Sequence, residues 1–153
     1  KQVFQEGFTA EELPAYQKRI GILRDFRKYL PIDDRPLSQF ARYEYQTDML
    51  QIGASGQLLI DEKIDATIPA DDAKALEAAN PIKDGRIVFD EKAIEFREDA
   101  IVTNLQTTTG TAVLILGGAH DLSNNVPDGV RLIVVTVSGY LKKHDDCRPQ
   151  NNR

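Results

Sequence analysis

The chemistry-bearing residues of this chain cluster around one histidine. Ala112 to Leu116 is an apolar run, Gly117-Gly118 ends it, and Ala119-His120-Asp121 follows. Neutral imidazole ligates zinc, manganese or iron, and it is the acid–base group that works near neutral pH. Gly117 and Gly118 withhold side chains where a backbone turns or a ligand approaches closely. Asp121 and Ser123 add polar groups to the same loop. A glycine pair after a strand is also an ordinary turn, and a loop histidine is often only exposed, so both readings stand. The chain's other histidine, His144, falls in Lys-Lys-His-Asp-Asp and reads as part of a solvated tail.

Two further polar residues bear on His120. Asp90 can cap a helix over Glu91 to Gln106, in which Ile94, Ile101 and Leu105 share one arc. Arg97 and Asn104 fall inside the buried face, between that arc and Ala93 and Ala100. A buried guanidinium needs a partner and a buried amide needs hydrogen bonds. The helix therefore aims both at something polar, either a ligand site or a network tying the helix to loop carbonyls. Glu98 and Asp99 are expected to point further outward. Glu44 and Asp48, four apart on another helix, put two carboxylates on one face. That pair suits a metal or acid–base work, and equally marks the solvent edge of an apolar stripe.

The elements that must position these groups read as a mixed α/β fold (α+β also possible). Residues 1–8 form an extended lead-in. Thr9 to Glu12 resembles a capping box, and a helix runs from there or from Pro14 to about Tyr29. A second helix opens at Pro36 and weakens at Gly53 and Gly56. Leu58 to Ile60 is core, as helix or strand, and Asp61 to Ala70 reads as a loop. Asp71 to Ala79 is a short helix with acids complementing its dipole. Strands are expected near 86–89, 112–117 and 130–137, the last rich in β-branched residues, with Gly139-Tyr140 ending it. This gives a mainly helical part over 1–80 and an α/β part over 81–144 in the same domain, with a loose tail over 145–153.

Composition narrows the function classes. The chain has 153 residues, 41% hydrophobic and 28% charged, enough for one domain with a core. The net charge of −5 argues against general nucleic-acid binding, which needs phosphate neutralisation. No apolar run reaches the length of a transmembrane segment. The single Cys147 rules out an internal disulfide framework and a thiolate zinc site. There is no Gly-x-Ser-x-Gly elbow, P-loop or Gly-x-Gly-x-x-Gly fingerprint. The chain opens on Lys1, which suggests a processed or truncated N-terminus and leans the compartment towards periplasmic or extracellular.

One family resemblance follows from these residues. A helix bearing Arg97-Glu98-Asp99, an apolar strand over Val113 to Leu116, the motif Gly117-Gly118-Ala119-His120 and a strand ending near Gly139-Tyr140 resemble the C-terminal part of the TIKI/TraB/ChaN-like superfamily. The resemblance covers about residues 90–141. Members include metal-dependent peptidases, erythromycin-esterase-like hydrolases and haem-binding lipoproteins. The family builds its site from two halves, each with a Gly-x-x-His, plus a glutamate from the first half. The resemblance implies that His120 is a metal ligand or general base and that Arg97 faces the site, with Asn104 in support. A divalent metal (manganese, zinc or cobalt) is the cofactor implied, with haem as the weaker alternative. Residues 1–110 hold no second Gly-x-x-His. A missing N-terminal half or a homodimer partner is therefore expected to complete the site. The competing expectation is a non-catalytic ligand-binding or assembly module.

Overall fold

The computed structural model describes residues 1–118 and 120–136. Val137, Gly139-Tyr140, His144, Cys147 and the 145–153 tail lie outside the described residues. The fold is mixed α/β, as expected. Ten elements follow one another among the described residues. They are β1 (Gln2–Gln5), α1 (Leu13–Arg27), α2 (Pro36–Gln51), α3 (Gly53–Ile60) and β2 (Ala66–Pro69), then α4 (Ala73–Ala78), β3 (Ile82–Lys83), β4 (Arg86–Ile87), α5 (Glu91–Leu105) and β5 (Leu114–Ile115).

The strands differ from those expected. Residues 1–8 are not a passive lead-in: β1 is the central strand of a parallel sheet ordered β2-β1-β5. Val3 pairs with Thr67 on one side, and Phe4 with Leu114 on the other. The supposed loop 61–70 contains β2. Residues 86–89 contribute only Arg86–Ile87, paired with Ile82–Lys83 in an exposed two-stranded ribbon. Val130 to Thr136 forms no strand and is exposed, Val135 at 90%. Its β-branched residues favour extended structure only where a neighbour supplies a ladder and a face to pack on. Among the described residues nothing supplies either.

Two crossover connections join the three parallel strands, α1 to α3 between β1 and β2, and α4 to α5 between β2 and β5. Phe4 of β1 packs with Ile101 and Val102 of α5, Ala70 after β2, and Leu122 of the last loop. A second apolar cluster joins the helices through Ile20 and Leu23 of α1, Ile52 after α2, and Ile60 of α3. Local signals explain the helix ends. Glu12 reaches back to the Thr9 N–H (2.8 Å), but the Thr9 hydroxyl donates to Glu12, so half of the capping box forms. The helix proper starts at Leu13, with Pro14 in its first turn. Asp72 and Asp90 cap α4 and α5 through their side chains. Gly53, at φ +70°, lets α2 stop and α3 restart in a new direction. Among the described residues, no helix is long and apolar enough to cross a membrane.

Gly56 sits where α3 meets α1. A Cβ there would lie 2.9 Å from Ile20 Cδ1, 2.9 Å from Ile52 Cβ and 2.8 Å from the Tyr16 hydroxyl. That hydroxyl donates to the Ile52 carbonyl at 2.8 Å, so it cannot retreat freely. Helix propensity alone favours Gly56→Ala by roughly 1 kcal/mol. Overpacking a tight contact costs about 1–3 kcal/mol. Packing wins here, because Ile52 Cβ is fixed to the backbone. Gly56→Ala is expected to lower the urea midpoint by the equivalent of about 1–2 kcal/mol at unchanged m-value. A stabilised variant would show that the α1–α3 contact is looser than these distances.

Candidate functional site

The sheet's three parallel strands each hand a side chain to one place. Glu6 follows β1, Asp71 follows β2, and the Gly117–His120 turn follows β5. The C-terminal ends of parallel strands are where open α/β sheets gather ligands. From the helix side, α5 contributes Arg97 and Glu98.

Asp71 anchors the group. Its carboxylate, wholly buried, accepts from Arg97 Nε (2.6 Å) and Nη2 (3.0 Å) and from the Gly7 N–H (2.7 Å). Arg97 Nη2 also donates to Glu6 Oε2 at 3.1 Å. Burial pulls the Arg97 guanidinium down, but the Asp71 hydrogen bonds and the charges of Asp71 and Glu6 outweigh it and raise it above its usual value. The other Glu6 oxygen accepts from the Gly117 N–H. A Cβ at Gly117 would sit 2.5 Å from that oxygen, so this glycine admits the carboxylate. Gly118 is exposed in the turn.

His120 closes the cluster. Nδ1 lies 2.9 Å from Glu98 Oε1, which also accepts from the Asp121 N–H at 3.3 Å. A carboxylate at Nδ1 fixes a proton there, because it can only accept. Nε2 then faces two unlike neighbours: Arg97 Nη1, a donor, at 3.3 Å and Glu6 Oε2, an acceptor, at 3.2 Å. Neutral imidazole satisfies Arg97 and opposes Glu6; imidazolium does the reverse. Nε2 thus faces a donor and an acceptor at once.

His120 and Arg97 therefore meet as the sequence led us to expect. Asn104 does not reach them. Its amide donates to the Ala70 carbonyl at 2.9 Å, which holds the loop that carries Asp71. Asp121 and Ser123 turn to each other: the Ser123 N–H donates to Asp121 Oδ1 at 2.9 Å. That bond, with help from the Ser123 hydroxyl, holds the Asp121 carboxyl below its usual range. Glu44 is exposed and Asp48 pairs with Arg19, so these two mark the solvent edge of α2.

Glu98 is a correction. It is 5% exposed rather than outward-pointing. At 100° per residue it follows Ile94 by four and precedes Ile101 by three, so it lies in the apolar arc itself. A carboxylate inside that arc was the available signal. Glu6 and Asp71 had fainter ones: an acid directly after a short apolar strand, and an acid beside the true helix cap Asp72. Neither strand was recognised, and Asp71 was placed in the first turn of a helix that in fact starts at Ala73.

The implied metal can be tested against these residues. His120 Nε2 and Glu6 Oε2 are suitable donors, and Glu98 on Nδ1 is the outer carboxylate that metal-bound histidines commonly use. Arg97, however, lies against the same nitrogen. Among the described residues no three His, Cys, Asp or Glu side chains converge on a metal position. The described residues do not make a metal centre by themselves. Comparison with family models, curated proteins and solved structures gives no match.

The buried pairing predicts an asymmetry. Arg97→Met alone leaves Asp71 and Glu6 without their cation and is expected to cost about 3–5 kcal/mol in urea unfolding. Arg97→Met with Asp71→Leu should recover most of that loss, since an apolar pair often replaces a buried ion pair at little cost. Additive losses would mean that the two residues are not coupled.

Proposed function

We propose that this chain carries the C-terminal half of a TIKI/TraB/ChaN-like hydrolytic site, active when a first half completes it. The observation that carries the reading is the His120 imidazole, held at Nδ1 by Glu98 with Nε2 turned towards Glu6 and Arg97. In this reading His120 is the general base. Nε2 takes a proton from the attacking water, Glu98 keeps the ring oriented, and Glu6 stabilises the imidazolium. Arg97, fixed by Asp71, faces negative charge that develops on the substrate. The missing half supplies the opposing wall and further donors for any divalent metal.

Support for a missing half comes from the sheet. β5 is an edge strand with an open side among the described residues, and it lies directly before the His120 turn. Val130 to Val135 is exposed and strand-prone. Both are surfaces that a further strand would cover. The competing reading, a non-catalytic binding or assembly module, has support in the near-complete internal pairing of the cluster.

Co-expression of this chain with the sequence that flanks it in its gene tests the proposal. The completed protein should bind manganese, zinc or cobalt stoichiometrically by elemental analysis and hydrolyse peptide or ester substrates. His120→Ala should reduce turnover by about 10²–10⁴-fold, the usual worth of a general base. Glu98→Gln should cost roughly 10–100-fold, the range for an outer partner of a histidine. A completed protein that takes up no metal and shows no His120-dependent hydrolysis leaves the assembly-module reading in place.

A further inference from the structure

We propose that the cleft between the turn leading into α1 and helix α4, with Arg97 in its wall, binds a peptide through a basic side chain. The inference names a substrate class for the site described above and in that respect rests on the hydrolytic reading. The binding it asserts is measured without catalysis.

The cleft lies where the chain leaves two neighbouring parallel strands. The turn with Thr9, Glu11 and Glu12 follows β1, α4 with Leu76 and Glu77 follows β2, and Arg97 comes from α5. The volume is about 570 Å³, within the roughly 300–1,000 Å³ of small-molecule sites. Arg97 sets the cleft beside the His120 cluster, since its Nη1 lies 3.3 Å from His120 Nε2. Nη1 carries two N–H groups. His120 is its one hydrogen-bond partner among the described residues, so one N–H is left over. A guanidinium with a 13% exposed side chain and a spare donor at a cleft wall suits an acceptor such as a peptide carbonyl.

The charge of the walls selects the rest of the ligand. Arg97 is the cation of the lining, but Asp71 and Glu6 already neutralise it. Glu11, Glu12 and Glu77 line the same cleft and form no ion pair among the described residues. Asp25, Asp33, Asp48 and Asp61, by contrast, each pair with a lysine or arginine. Glu12 is also held in place. Its Oε2 accepts from the Thr9 N–H at 2.8 Å and the Thr9 hydroxyl at 3.0 Å, which leaves Oε1 for a ligand. Unpaired carboxylates around one concavity attract a cation and repel an anion. They do not converge on a metal position, so an organic cation fits better than a bare ion. Leu76, Ala79 and Pro81 add apolar wall. Long basic side chains bury their methylene stems on such surface and keep the charged end in polar surroundings. A cation on an apolar stem, a few bonds from a backbone carbonyl, is a lysine or arginine residue of a peptide.

An NMR titration of the isotope-labelled chain with the blocked tripeptide acetyl-Ala-Lys-Ala-amide, whose one charge is the lysine, reads the result. Saturable shifts are expected at residues 9–12 and 73–81, with a Kd of about 1 mM. The glutamine and glutamate analogues of the peptide should bind about tenfold more weakly or worse, because each loses the charge-assisted bond. Glu12→Gln with Glu77→Gln should weaken the lysine peptide by a similar factor. Glutamine at position 12 keeps an acceptor for Thr9, and both positions are exposed, so the spectrum should keep its native dispersion. Glu44→Gln, exposed on α2 and outside the cleft, should leave binding unchanged. The absence of saturable shifts at these residues up to roughly 20 mM peptide overturns the proposal. So does equal affinity for the glutamine peptide. So does an equal loss with Glu44→Gln, which would make the binding a diffuse effect of the net charge of −5. Failed binding strikes the basic-peptide inference and leaves the hydrolytic reading standing. A completed protein without hydrolysis strikes that reading and leaves the cleft as a binding site.

Discussion

The buried pairing of Asp71 with Arg97 is the constraint on which the rest of the site hangs. It joins three parts of the chain that are remote in sequence. Asp71 ends the β2 connection, the Gly7 N–H that it accepts from ends β1, and Arg97 rises from the middle of α5. Two parallel strand ends and a helix are thereby locked in one register. The interaction is not a cheap source of stability, because two charges leave water to make it. Its consequence is geometric. With Arg97 fixed by the fork of Nε and Nη2 on Asp71, Nη2 also reaches Glu6 and Nη1 lies against His120. The Asn104 bond to the Ala70 carbonyl reinforces the same loop from the next turn of the helix.

The described residues hold two apolar clusters, one beneath the charged group and one among the helices. The cluster around Phe4 and Ile101 lies beneath the charged group and ties the sheet to α5 and the last loop. The cluster around Ile20 and Ile52 belongs to α1, α2 and α3. Gln5 bridges them, with its side-chain oxygen accepting from the Ser55 N–H at 2.9 Å. Exposed apolar surface is concentrated on the outer helix faces, the β3–β4 ribbon and the segment after Pro127. None of these lies in the network that sets the positions of Glu6, Asp71 and Arg97.

Helices were legible in the sequence because their signals are local. The Pro36 start, the Asp90 cap and the Gly53 break all act within a turn or two of the residue that gives them. β1 and β2 were not legible as strands, since four residues of extended chain acquire their identity from a parallel neighbour over sixty positions away. The reverse error occurred at Val130 to Thr136, where intrinsic preference was strong and the neighbour is absent among the described residues. The site followed the same division. His120 and Arg97 stood out from residue type and helical phase, whereas Glu6 and Asp71 depended on knowing that two strands end side by side. Glu98 was readable from phase and was misplaced, which hid the orienting partner of the histidine.

With the partners known, the chemistry concentrates on a single atom. Asp71, Arg97 and Glu98 each have hydrogen-bond partners that complement them. His120 Nε2 differs. A donor and an acceptor face it at nearly equal distance, so neither protonation state satisfies both. What sets His120 apart from the histidine of an ordinary turn is therefore this set of neighbours, brought from β1, α5 and the last loop, and not its place after a glycine pair.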